Sequence, residues 1–142
     1  MQTADVRRRI KDALERAKRH SAERRALNSQ AAAAYEVFRE RAAIPVFQQV
    51  AGALKAEGYP FVVHTPADST RLASEHSPHD FIDLRLETSG ERPHVVVRVE
   101  RVKGRETTRE EHPLKPGAAV DQLTEDDVLD ALAEGLTRLI ER

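Results

Sequence analysis

The hydrophobic pattern of this chain changes its period along the sequence, and the central part alternates with a period of two. Ile82, Leu84 and Leu86 are separated by charged residues, which predicts a half-buried strand. Residues 94–102 repeat the alternation with valines, and the loop between the two runs contains Gly, Pro and Ser. We therefore predict an antiparallel hairpin over residues 81–102, around which the rest of the chain is organised.

The N-terminal part has a helical composition instead. Residues 5–43 contain no Gly or Pro and are rich in Ala, Arg, Glu, Lys and Leu, so they predict one long helix. At 1.5 Å per residue this helix is roughly 58 Å long, which exceeds the width of a domain of ~100 residues. Part of it must project, pair with another chain or fray. A kink or restart is predicted at Ile44–Pro45, because proline lacks an N–H and clashes in a helix interior.

Two further helices are predicted on either side of the strands. Residues 46–57 carry a dense apolar face at helical spacing. A second helix is predicted over residues 125–141, where Thr124 and Asp127 are spaced to bond each other's backbone N–H groups. Its apolar residues form one face, which indicates packing on one side of the sheet.

The predicted fold class is α+β. Additional short strands are predicted over residues 60–65, 69–75 and 105–112, the last a charged, solvated edge strand. They give a four- to five-stranded antiparallel meander sheet with the C-terminal helix on one face. The predicted organisation is a projecting helical arm, residues 1–43, and a single α+β domain, residues 44–142.

Composition narrows the possible functions. The chain has 142 residues and no cysteine, so it has no disulfide, thiolate metal site or cysteine nucleophile. It has no apolar run of ~18 residues, and no secretory signal is expected in residues 1–20. We therefore expect a cytoplasmic protein without membrane contact, and the abundance of Ala and Arg is typical of bacterial proteins from GC-rich genomes.

The charge is unevenly distributed although the net charge is only −1. Residues 1–58 carry 12 Lys or Arg and 7 Asp or Glu, a net charge of +5, and residues 59–142 carry 11 and 17, a net charge of −6. Such a split indicates either an arm that binds a polyanion or halves, or copies, that attract each other.

An interrupted apolar stripe on the long helix predicts an interface. The stripe fades between residues 15 and 25, so it is not a sustained leucine heptad. It still needs another surface, since most helical stability comes from packing. The predicted partner is a second copy, with a dimer favoured, or another protein. The predicted interface residues are Val6, Ile10, Leu14, Leu27, Ala31, Ala34, Tyr35 and Phe38.

The alternative is nucleic-acid binding by the basic N-terminal helix, since neutralised phosphates supply most non-specific affinity. Acidic residues interrupt the basic run, and no aromatic residue lies within it to stack on bases. Charges four residues apart, such as Asp12 and Arg16, are instead typical of a solvated helix. The candidate residues are Arg7, Arg8, Arg9, Lys11, Arg16, Lys18, Arg19, Arg24 and Arg25.

The histidine-rich loop is a lower-ranking candidate for a metal site. His76, His79 and Asp80 supply imidazole and carboxylate groups, but Pro78 between the histidines excludes the helical spacing that places two ligands on one face. We expect a polar loop and no cofactor.

Two catalytic sets are ranked lower still. His64, Asp68 and Ser69 lie in one turn, whereas triads draw on separated segments. Asp83 and Glu100 with Lys103 resemble a nuclease set, but Glu100 and Lys103 would point to opposite faces of a strand. The sequence therefore favours a non-enzymatic interaction protein that oligomerises or docks a partner through its N-terminal helix.

Overall fold

A computed structural model of the chain describes residues 1–141, and its centre is an antiparallel sheet. The sheet has five strands in the order β1-β2-β3-β4-β5, so each strand pairs with its neighbour in the sequence. The predicted meander and the α+β class are confirmed. The strands are β1 Phe61–His64, β2 Ser69–Ser74, β3 Phe81–Glu87, β4 His94–Lys103 and β5 Glu106–Pro113.

The strand register places one apolar row of β3 at the centre of the sheet. Ile82 pairs with Leu72 on β2 and Val99 on β4, and all three side chains are buried. Side chains alternate across a strand, so Leu84 faces the same side as Ile82, and Asp83 faces the other. β5 is exposed along nearly its whole length, as predicted for a charged edge strand.

The helices lie N-terminal and C-terminal to the sheet. They are α1 Thr3–Phe38, a π-helical segment Arg39–Ala43, α2 Ile44–Ala56, a 3₁₀ turn Val120–Gln122 and α3 Glu125–Ile140. The restart predicted at Ile44–Pro45 is present, because the π-helical segment ends at Ala43 and α2 begins at Ile44. The wider turn of the π-helical segment, in which the N–H of Ile44 donates to the carbonyl of Arg39, directly precedes Pro45 in the first turn of α2. Proline is tolerated there because the first turn needs no N–H donor.

α3 begins and packs as its sequence dictates. The Asp127 N–H donates to Thr124 Oγ1 at 3.3 Å, and the Thr124 N–H donates to the Asp127 carboxylate at 2.9 Å, which confirms the predicted reciprocal cap. At Gly135 the helix comes so close to the sheet that a Cβ atom would lie 2.8 Å from Ile82 Cδ1. A larger residue at this position would require the Ile82 side chain to move where α3 crosses β3.

The core lies between this face of the sheet and the helices. Phe47 of α2 and Leu132 of α3 are buried in the same cluster as Ile82 and Leu84 of β3. The end of α1 contributes to this cluster as well, through Tyr35 and Phe38.

Candidate interaction surface

The C-terminal end of α1 is fixed to the sheet by a buried tyrosine. Tyr35 is 4% exposed, and its hydroxyl donates a hydrogen bond of 3.2 Å to the backbone carbonyl of Leu84. Burial raises the pKa of Tyr35 to about 12. The phenol therefore stays protonated, as a donor to a carbonyl must be.

A buried arginine ties the end of α1 to the β1–β2 turn. The Arg39 guanidinium donates to the backbone carbonyls of Pro66, Ala67 and Ser69, the last two at 3.1 Å. Arg39 is 8% exposed. Because the planar guanidinium has five N–H donors in a fixed geometry, one side chain holds three turn carbonyls in place.

The last anchor toward the N-terminus is Arg24. Its guanidinium donates to the carbonyls of Ser89 and Gly90, both at 3.0 Å, in the loop between β3 and β4. Residues 3–23 of α1, which we call the overhang, are exposed except for the half-buried Asp5. At 1.5 Å per residue the overhang extends for about 32 Å.

The overhang has an apolar stripe on one side. Val6, Ile10 and Leu14 are 43%, 57% and 57% exposed. With 3.6 residues per turn these three side chains lie within about 80° of one another, and Tyr35 falls in the same sector further along α1. The stripe that is buried at the anchored end of α1 therefore continues, uncovered, along the overhang.

Basic and acidic residues of the overhang lie at different positions relative to the stripe. Arg7 and Lys18 fall on one side of it, and Arg9 and Arg16 fall on the other, by the same helical spacing. The acidic residues lie on the opposite face of the helix. They are Asp5, Asp12, Glu15 and Glu23. The surface that presents the apolar side chains is thus bordered only by cations.

The predicted interface residues separate into three groups. Val6, Ile10, Leu14 and Leu27 are exposed. Ala31 and Ala34 are half-buried. Tyr35 and Phe38, 4% and 3% exposed, pack against the chain's own sheet, so within one copy they serve the core.

Leu27 lines a groove of about 850 Å³ between α1 and the rest of the domain. The α1 wall also includes Gln30 and Ala31, and the opposite wall is formed by residues 92–94 and 117–122. The groove lies C-terminal to the overhang along α1, and none of Val6, Ile10 and Leu14 lines it.

The basic residues proposed for nucleic acid are all exposed. In residues 1–141 the overhang contains a single ion pair within 4.0 Å, between Arg8 and Asp5 at 2.9 Å. The predicted pairing of Asp12 with Arg16 is not formed. Most cations of the overhang are therefore available to a partner.

Comparison with known proteins identifies no relative. No family model, curated protein or solved structure matches this chain. Among the described residues no helix is long and apolar enough to cross a membrane.

The histidine loop is exposed, and its carboxylate is already engaged. His76 and His79 face solvent, and Asp80 Oδ1 accepts a 2.8 Å hydrogen bond from the Val102 N–H. Within the part of the chain that the structure describes, no three His, Asp or Glu side chains are grouped to hold a metal ion. Asp80 therefore links this loop to the end of β4.

Neither catalytic set is assembled. Ser69 is buried, and its carbonyl accepts from Arg39, whereas His64 is exposed. Asp83, instead of meeting Lys103, lies between two arginines.

The two arginines form a cluster with Asp83 that the sequence did not reveal. On the sheet face opposite the helices, Asp83 is fully buried and accepts from Arg71 at 3.1 Å and from Arg98 at 3.0 Å. The Arg71 guanidinium lies 3.9 Å from the centre of the Phe81 ring, a cation–π distance. Burial lowers the pKa of Arg98, but the hydrogen bond and charge of Asp83, together with the charges of Glu100 and Glu111, outweigh burial and raise this pKa.

This cluster is an internal ion pair network. The side chains of Arg71 and Arg98 cover Asp83 on this face of the sheet. Its cations are already paired, in contrast to most of those of the overhang.

Proposed function

We propose that this chain is a non-enzymatic interaction protein that assembles as a homodimer through its N-terminal helix. The observation that carries the proposal is the overhang, which keeps Val6, Ile10 and Leu14 aligned and about half exposed on a helix beyond its last anchor. A helix without packing is marginally stable in water, so a partner that covers this stripe stabilises it.

Covering the apolar stripe would contribute a favourable free energy to dimerisation. Full burial of a Val, Leu or Ile side chain contributes about 1.5–3 kcal/mol, so covering a side chain that is already half buried contributes about 1 kcal/mol. A twofold dimer makes each contact twice, which doubles the contribution of the three residues.

The test is the solution mass of Ile10→Asp, measured by light scattering with refractive-index detection because the chain has no Trp. We expect wild type to be a dimer and Ile10→Asp a monomer of unchanged helical content in the α+β domain. Ala22→Asp is the matched control, since it adds the same charge to an exposed position off the stripe. A monomeric wild type, or a dimeric Ile10→Asp, would contradict the proposal.

Phe38→Asp is unsuitable for the same purpose. Phe38 is 3% exposed within the core, so a carboxylate there would unfold the domain instead of separating two copies.

The alternative function is nucleic-acid binding, favoured by the unpaired cations that border the stripe. It predicts an affinity that falls steeply with salt and is lost when residues 1–25 are deleted. Absorbance at 260 nm on the light-scattering peak, with and without nuclease treatment, would detect co-purifying nucleic acid. We expect the dimer to be free of it, and the cytoplasm remains the expected location.

A further inference from the structure

We infer that the overhang of one copy docks on the outer face of α3 of a second copy, in a reciprocal exchange. This inference rests on the proposed function and names the surface that the N-terminal helix would bind. It starts from a charge imbalance within the chain. Residues 1–25 carry nine Lys or Arg and four Asp or Glu, a net charge of +5, and residues 26–142 carry 14 and 20, a net charge of −6.

The negative charge is concentrated at α3. Residues 121–134 contain six Asp or Glu and no Lys or Arg. Acidic residues in the first turn of a helix are explained by the helix dipole, but Asp130 and Glu134 lie beyond that turn. Of this group, Asp127 is used in the cap with Thr124, whereas Asp126 and Asp130 are exposed and form no ion pair within residues 1–141.

The outer face of α3 also has an apolar strip. Leu129 is 47% exposed, and Leu136 and Ile140 are half-buried within about 40° of it by helical spacing. Asp126 and Asp130 lie on one side of this strip, about 60° and 100° from Leu129 around the helix. The charge is opposite to that of the overhang: the apolar side chains have carboxylates on one side here, and Arg or Lys on both sides there.

The dimensions of the two surfaces agree. α3 has 16 residues and is about 24 Å long, against about 32 Å for the overhang. The overhang side chains are exposed in the folded chain, so one copy does not make this contact with itself. In a twofold dimer each overhang meets the α3 of the other copy, and both contacts form together.

The competing arrangement is a dimer in which the two overhangs pair with each other. The salt dependence of the association distinguishes it from docking on α3. Two overhangs of equal positive charge repel, so salt would strengthen their association. An overhang on the acidic face of α3 is held by attraction, so salt weakens it. We expect the dimer dissociation constant to rise as NaCl increases from 50 to 500 mM, values chosen to shorten the screening length to a few Å.

A charge exchange tests the contact directly by sedimentation equilibrium. Arg7→Glu/Lys18→Glu and Asp126→Lys/Asp130→Lys should each weaken the dimer about tenfold or more, and the four changes together should restore it, as coupled charges require. The matched controls are Arg8→Glu/Arg19→Glu on the far face of α1 and Glu75→Lys/Glu106→Lys at exposed sites away from α3. Both controls should leave the dissociation constant within about threefold of wild type, since isolated exposed charges contribute little.

The outcomes separate this inference from the proposed function. The first outcome is a dimer whose dissociation constant is no more affected by Asp126→Lys/Asp130→Lys than by its control, but which is lost on Ile10→Asp. That result would overturn the α3 contact and leave the proposed role of the overhang intact. A dimer that strengthens with salt overturns it in the same way. A wild-type monomer, or a dimer unaffected by Ile10→Asp, overturns both.

Discussion

The two ends of α1 place the same helical stripe in opposite surroundings. At the C-terminal end Tyr35 and Phe38 are 4% and 3% exposed, whereas at the N-terminal end Ile10 and Leu14 are both 57% exposed. The amino-acid types do not explain the difference. It arises because the sheet and its loops extend only as far as Arg24, which bonds the β3–β4 loop. An apolar stripe thus identifies a face that needs a partner, and only the fold decides whether that partner lies in the same chain.

Truncating an apolar side chain should change the free energy of unfolding far more at the C-terminal end of α1 than at its N-terminal end. Phe38→Ala should lower the free energy of unfolding by about 3–5 kcal/mol, because it leaves a cavity in the core. Ile10→Ala should change it by less than about 0.5 kcal/mol in dilute, monomeric protein. Urea denaturation at low concentration measures both, and Val37→Ala, at a site 60% exposed beside Phe38, is the control. Equal losses at the two ends would show that the overhang packs on its own domain.

High pH should weaken the anchored end of α1 through Tyr35. The pKa of Tyr35 is raised to about 12 from an ordinary value near 10, so the folded state favours the protonated phenol. Its contribution is constant below pH 10 and is lost as the pH rises from 10 to 12, a loss of about 2–3 kcal/mol. Unfolding free energies of wild type and Tyr35→Phe, compared across this range, isolate the effect from other titrations.

The curves of unfolding free energy against pH for wild type and Tyr35→Phe should approach each other above pH 10. Tyr35→Phe loses one hydrogen bond to Leu84, worth about 1 kcal/mol, but should fall less steeply above pH 10. Parallel curves for the two proteins would mean that the phenol ionises without cost in the folded state.

The smallest effect is expected at the boundary between the two ends. Arg24→Met removes hydrogen bonds to two exposed carbonyls, so the global free energy of unfolding should fall by less than about 1 kcal/mol. Local protection should change more, because the overhang loses its nearest anchor. Amide hydrogen exchange should become faster in residues 3–23 and stay the same near Tyr35. Arg25→Met is the neighbouring control, and equal exchange in both variants would argue against Arg24 as an anchor.

Elements whose sequence pattern has only one interpretation could be predicted from the sequence alone. Alternation in β3 and β4 predicted the central hairpin, and the spacing of Thr124 and Asp127 predicted the start of α3. These signals are local, because a strand's period and a helix cap depend on residues only a few positions apart.

The rest depended on long-range geometry. The stripe on α1 gave no sign of where the domain ends, so Tyr35 and Phe38 were grouped with Val6 and Ile10. Asp83 resembled any polar residue on the solvent side of a strand. Its burial follows from the strand register, which places Arg71 and Arg98 on either side of it. Arg39 and Arg24 gave no signal, since each bonds backbone carbonyls of a loop distant in the sequence.

The meander also sets an order of events during synthesis. Strands that pair only with their neighbours can form a sheet soon after each strand leaves the ribosome, because their contacts are local. α1 emerges before its packing partners, and Leu84, the acceptor for Tyr35, follows 49 residues later. At 5–20 residues per second that interval lasts about 2–10 s. For those seconds the nascent chain exposes the full length of the apolar stripe. Folding then buries only the C-terminal part of the stripe.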